Sequence, residues 1–213
     1  MKFKSTKSVL IAVIVFGLPA LAFGDLITSE DFEAGATGWS NNTTTNGGST
    51  FTRFLGRFGG TGGTQSVYKT YTLSGTQTEV TIEFDFYEID SWDYERFIVF
   101  IDDTIVVNDA YQHTYDDVSR TSAISKLFGN GGTSYGFNFW SDQGFHYSLT
   151  YTTTASSLKL GFGSTLNQSI SDESWGIDNV QITDNASVVP VPSSVLLGLI
   201  GLAPMIRRRR ATK

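Results

Sequence analysis

Val80-Thr81-Ile82-Glu83-Phe84-Asp85-Phe86 sets apolar residues at 80, 82, 84 and 86 against polar ones at 81, 83 and 85. Side chains alternate across a strand, so strict period two predicts a strand with one face on a core and the other in water. On its C-terminal side, Phe97 to Ile101, an Asp102-Asp103-Thr104 turn and Ile105 to Val107 read as a hairpin of β-branched and aromatic residues. On its N-terminal side, Val67 to Leu73 has strand character, and Thr50 to Phe58 carries Phe51, Phe54 and Phe58 around Leu55. Asp25 to Ser40 reads as an entering strand and turn, and Asn41 to Ser49 as a polar loop. Asp109 to Asn138 reads as irregular. Strands are predicted again at Phe137 to Trp140, Tyr147 to Thr152, Leu158 to Phe162 and Gly176 to Ile182. Away from the two ends no window holds the helical period, and no repeat of 20 to 50 residues exists. About eight to ten short strands without helices between them predict an all-β chain, an antiparallel two-sheet β-sandwich.

The ends differ from this middle. Lys2, Lys4 and Lys7 precede an apolar run from Val9 to Leu18, and Ala20-Leu21-Ala22 forms a small-x-small cleavage site. Residues 1–22 therefore read as a signal peptide whose helix is too short to span a bilayer. At the other end Pro190, Val191 and Pro192 lead into an apolar run, followed by Arg207, Arg208, Arg209 and Arg210. The fourteen residues from Ser193 to Ile206 span roughly 21 Å as a helix, short of the ~30 Å hydrocarbon core. Such a helix crosses if the arginines snorkel and the bilayer thins locally. The cationic flank then stays cytoplasmic, and the chain before Val188 faces outward.

Residues 23–187 remain as one domain, whose 165 residues suffice to bury on the order of 70% of the unfolded surface. The signal holds three lysines and the tail five Lys or Arg, which leaves seven cations against 21 acids, a net charge of −14. Such a surface argues against nucleic acid or anionic lipid as a partner. Cysteine is absent, so an exported chain of this kind relies on its core without disulfides.

Few residues suggest chemistry. Gly59, Gly60, Gly62 and Gly63 are followed by neither Lys-Ser/Thr nor a helix, so the phosphate-loop reading fails. His113 and His146 stand 33 residues apart without a third ligand nearby, which disfavours zinc. Glu88-Ile89-Asp90-Ser91-Trp92-Asp93 sets acids at the spacing of a paired-carboxylate glycosidase. Glu88, however, keeps the parity of the core-facing set and should point inward. Trp92, Trp140 and Trp175 are candidate stacking platforms for a sugar ring, with burial in the core as the alternative. Asp31 and Glu33 near the start and Asp178 near the end could together hold a calcium ion across the terminal strands, with Glu33 and Asp178 as the principal ligands.

Three resemblances add expectations. The proline lead, short apolar helix and terminal arginines resemble the PEP-CTERM sorting signal of Gram-negative bacteria, with Val191 at the family's glutamate position. That resemblance implies an exosortase and the export machinery as partners, a transient inner-membrane anchor at 188–213, and a final place at the cell surface or outside the cell. Phe32-Glu33, Gly38-Trp39 and Ile177-Asp178-Asn179-Val180 are similar to motifs of extracellular jelly rolls of the MAM and carbohydrate-binding type. They imply a jelly-roll-like fold and a non-catalytic binding or structural role in an exopolysaccharide or biofilm matrix. Glu88, Asp90 and Asp93 resemble the laminarinase-like signature, with Asp93 where the family has glutamate, and imply the alternative of a secreted glycoside hydrolase.

Overall fold

The computed structural model describes residues 24–60, 66–76, 79–113, 124–129, 132–137 and 140–185. The signal-cleavage residues Ala20 and Ala22, and Pro190, Val191, Pro192 and Arg207 to Arg210 of the tail, lie outside the described residues. Eleven strands and one short helix follow in order among the described residues. They are β1 (Asp25–Glu30), β2 (Thr44–Asn46), α1 (Gly48–Phe51), β3 (Arg53–Phe58), β4 (Val67–Thr72), β5 (Glu79–Asp90), β6 (Asp93–Ile101), β7 (Thr104–Gln112), β8 (Ile124–Phe128), β9 (Asp142–Thr152), β10 (Ser157–Ser164) and β11 (Glu173–Asp184).

Every pairing is antiparallel. Sheet A runs β2-β3-β11-β5-β9-β8, with β1 beside the C-terminal half of β11, and sheet B runs β4-β10-β6-β7. Among the described residues the two-sheet, almost helix-free architecture expected from the period-two pattern is therefore present. Val80, Ile82, Phe84 and Phe86 are all fully buried, as their parity requires. Phe86 stacks on Phe97 of sheet B with ring centroids 3.9 Å apart, and Phe84 meets Phe162 at 4.8 Å, so aromatic side chains form the seam. Each such ring contributes ~1.5–3 kcal/mol by leaving water, which outweighs any single pair preference. The β6–β7 turn also follows its sequence: Asp102 and Asp103 both take positive φ, the geometry of a two-residue hairpin turn matched to strand twist.

Four expectations need correction. The polar loop expected at Asn41 to Ser49 holds β2 and the start of α1. Asp109 to Asn138 is not uniformly irregular: β7 extends to Gln112, and Ile124–Phe128 forms β8 on the edge of sheet A. Neither shows apolar alternation strong enough to read, because β8 alternates between half-buried and exposed positions. Phe137 and Trp140 lie in bends, not in the strand expected there, while the strand expected at Tyr147 to Thr152 starts earlier, at Asp142. Finally, β5 ceases to have a wet face beyond Asp85. Tyr87 and Ile89 point away from the main core, yet Phe51 of α1 and Phe54 of β3 cover them in a second apolar cluster, with Phe128, Tyr135 and Phe137 around it.

Candidate functional site

The far end of β5 carries the acids that the sequence marks out. Glu88 points inward beside Phe86 and is fully buried, and its Oε2 accepts a hydrogen bond from Gln143 Nε2 at 2.9 Å. Asp90, also fully buried, takes φ 75° as the chain leaves sheet A, and its Oδ1 accepts the Trp140 N–H at 3.3 Å. Asp93 lies beyond the crossover at the start of β6, exposed and 3.8 Å from His113. Thus a crossover separates the three: two are sealed and the third faces water. No glycosidic oxygen reaches Glu88 or Asp90 in this arrangement, and a paired-carboxylate mechanism needs both groups in one open cleft.

Further acids, unmarked by any motif, join this end. Asp142, paired with Ile89 across the sheet, accepts the Asp90 N–H at 3.2 Å and the Tyr135 N–H at 2.6 Å. Burial pushes its carboxyl up to about 6, against the lowering effect of those backbone donors. Glu173 is raised to about 7, first by burial and then by Glu95, Asp172 and Asp93. The Arg57 guanidinium donates to Ser174 Oγ at 2.8 Å and to the Ile170 carbonyl, and it lies over the Phe137 ring at 4.7 Å. Burial lowers its pKa, while the charges of Asp90 and Asp142 act the other way. The Arg57 cation among several buried acids makes this a structural knot, tying the β3, β5, β9 and β11 ends together by charge and hydrogen bonds.

Glu33 and Asp178 each bond to one of two neighbouring residues, Arg53 and Thr52. Glu33 Oε1 accepts the Arg53 N–H at 2.8 Å, and the buried Asp178 Oδ2 accepts the neighbouring Thr52 hydroxyl at 3.2 Å. Asp31 instead accepts the Glu33 N–H at 3.2 Å, closing its own turn. Asp178 also accepts the Tyr87 hydroxyl at 3.0 Å and the Asn179 N–H at 2.8 Å. The Tyr87 hydroxyl and the Asn179 N–H therefore direct hydrogens at the carboxyl where a cation would sit, while the single Thr52 hydroxyl hydrogen is shared between Asp178 and the nearer Phe51 carbonyl at 2.7 Å. Among the described residues no group of three or more acids and histidines comes within ligand reach. Calcium takes six to eight oxygens, so these side chains do not fit the ion. Burial raises the Asp178 carboxyl to about 7 despite its donors.

Of the three tryptophans, two are core. Trp92 is fully buried and donates Nε1–H to the Ser174 carbonyl at 2.9 Å, and Trp175 is fully buried against Phe58 at 4.8 Å. Neither offers a face to a sugar, because both rings lie within the main core. Trp140, 51% exposed, does project, with its ring edge on His113 at 5.0 Å.

The open surface features lie elsewhere, on the outer faces of the two sheets. On sheet A, His146 Nδ1 sits 2.8 Å from Asp85 Oδ1, and Asn179 donates to Asp85 Oδ2 at 2.8 Å. Ser29, Glu83 and Gln181 complete a polar depression of about 330 Å³. On sheet B, Tyr68, Phe100, Gly161, Lys159 and Asp103 line a trough of about 280 Å³. Its signal was present in Leu158-Lys159-Leu160-Gly161-Phe162: the leucines and Phe162 face inward, which leaves Lys159 and a bare glycine outward.

No family model matches the chain, and no curated protein matches it. Among solved structures it is similar to dimeric latent PorU from Porphyromonas gingivalis, at 14% identity and a TM-score of 0.47. That similarity covers 82% of this chain, which spans only 15% of the length of the PorU chain.

Proposed function

We propose that this is an exported, exosortase-sorted surface or matrix-associated protein with a non-catalytic binding or structural role, built on a jelly-roll-like sandwich. Its signal peptide (1–22) delivers it through the inner membrane, and its C-terminal sorting segment (188–213) holds it there until processing. The observation that carries the non-catalytic reading is the sealing of Glu88 and Asp90, two of the three acids (with the exposed Asp93) through which the glycosidase alternative would act. The chain's repeated passage between sheets supports the jelly-roll reading: β3 to β4, β4 to β5, β5 to β6, β7 to β8, β9 to β10 and β10 to β11 each change sheet. The order of basic and apolar residues at both ends supports export and sorting. Extracellular polysaccharide is the partner class such a role implies.

The test is cellular. Deleting Arg207 to Arg210 should impair membrane retention or maturation, read by fractionation and mass spectrometry of the protein recovered from cells. Unaltered surface display of that variant would remove the sorting role.

A further inference from the structure

The trough on the outer face of sheet B has three features that belong together. Its floor is Gly161, which pairs with Tyr68 of β4 on one side and with Phe100 of β6 on the other. A Cβ there would meet Phe100 Cδ2 at 3.1 Å and Tyr68 Cβ at 3.3 Å, so the bare backbone is what leaves room between the two aromatic side chains that flank the central strand. The walls are therefore aromatic, and Tyr68 remains 46% exposed. Its rim is polar in both senses: Lys159 Nζ lies 2.6 Å from Asp103 Oδ1 and 4.5 Å from the Tyr68 ring centroid, which places a donor and an acceptor side by side next to the aromatic surface.

We propose that this trough binds a ring of a neutral polysaccharide, an inference that rests on the matrix-associated role proposed above and gives it a site. A pyranose ring has an apolar C–H face and a rim of hydroxyls that both donate and accept. Phe100, Tyr68 and the Gly161 backbone match the face; Asp103 and Lys159 match the rim. The volume of about 280 Å³ suits one ring, with the chain continuing over the open sheet. Charge selects the neutral class. Lys159 and Asp103 cancel locally, while the surrounding domain carries a net charge of −14, so a polyanionic glycan is repelled and finds no unpaired cation in the trough. A second copy of this chain, equally acidic, meets the same repulsion.

The experiment uses the purified full chain, with cellohexaose and a neutral β-1,3-glucan as probes, alginate as the anionic contrast, and affinity measured by titration calorimetry. Binding of at least one neutral probe is expected, with none to alginate. Tyr68→Ala should weaken it by about tenfold or more, and Lys159→Met by a smaller factor. Phe100→Ala should act like Tyr68→Ala, and a thermal melt of each variant separates lost binding from lost fold. Trp140→Ala should leave affinity unchanged. Several results would overturn the proposal: no binding of either neutral probe, preference for alginate, or loss on Trp140→Ala with Tyr68→Ala silent. Sedimentation showing a dimer that Tyr68→Ala dissociates would assign the trough to a second copy instead. None of these outcomes bears on export and sorting, which the arginine deletion tests separately.

Discussion

The acids around Asp90 and the Lys159–Asp103 pair on sheet B use similar residue types to opposite ends. Around Asp90, acids are buried, their oxygens accept backbone and side-chain donors, and two carboxyls are raised toward neutrality by lost hydration. On sheet B the acid and the lysine stay in water beside exposed aromatic surface. A cluster of carboxylates in a sequence is thus weak evidence for chemistry until its burial is known. At one end of this sandwich such a cluster fastens strands; the open face has the groups a ligand could touch.

The contrast breaks most visibly at the tryptophans. Trp175→Ala should destabilise the fold by about 3–5 kcal/mol, the range for emptying a large aromatic site in a core. Trp140→Ala should stay within about 0.5 kcal/mol, as expected for an exposed position. Equal losses in chemical denaturation would mean that the two are not partitioned between core and surface as described. Next in size, Asp142→Ala strips two backbone N–H groups of their acceptor and should cost about 2–4 kcal/mol. A neutral result would mean that those donors find water.

These two predictions also mark how far the sequence could be read. Val80 to Phe86 declared its buried face outright, and the Asp102-Asp103 hairpin formed as expected, because both depend on residues adjacent in the chain. The second apolar cluster depends instead on Phe51 and Phe54 arriving over Tyr87 and Ile89 from more than thirty residues away, a contact with no local signature. The inward parity of Glu88 was legible and already argued against an open glycosidase cleft. For Trp92 and Trp175 the ambiguity was intrinsic, since a large indole suits a core and a sugar platform equally. Asp142 carried no motif, and its role exists only because β9 brings it opposite Ile89.

Acidity sharpens the comparison further. Asp142 and Glu173 are raised to about 6 and about 7 in the fold, against ~4 for such groups in an unfolded chain. Between these limits the folded state holds protons that the unfolded state has released, so stability falls as pH rises. The contribution is complete below about pH 4 and is lost as pH climbs through about 6 to 7. The melting temperature should therefore drop between pH 5 and pH 8, and Glu173→Gln should flatten part of that slope. A melting temperature that rises over the same interval would show the carboxyls to be ionised in the fold.

Smaller effects are expected where the structure offers no strain to release. A chelator should leave the melting temperature unchanged, because the Tyr87 hydroxyl and the Asn179 N–H already satisfy Asp178; a drop abolished by Asp178→Asn would restore the calcium reading. On the open face, Tyr68→Ala should change stability by less than about 0.5 kcal/mol while it weakens glycan binding.

The most direct test of the division between sealed acids and open face is a reducing-sugar assay of the full chain on β-glucans, with Glu88→Gln as control. The structure predicts no release of reducing ends by either protein. Turnover by the native chain that vanishes in Glu88→Gln would contradict it.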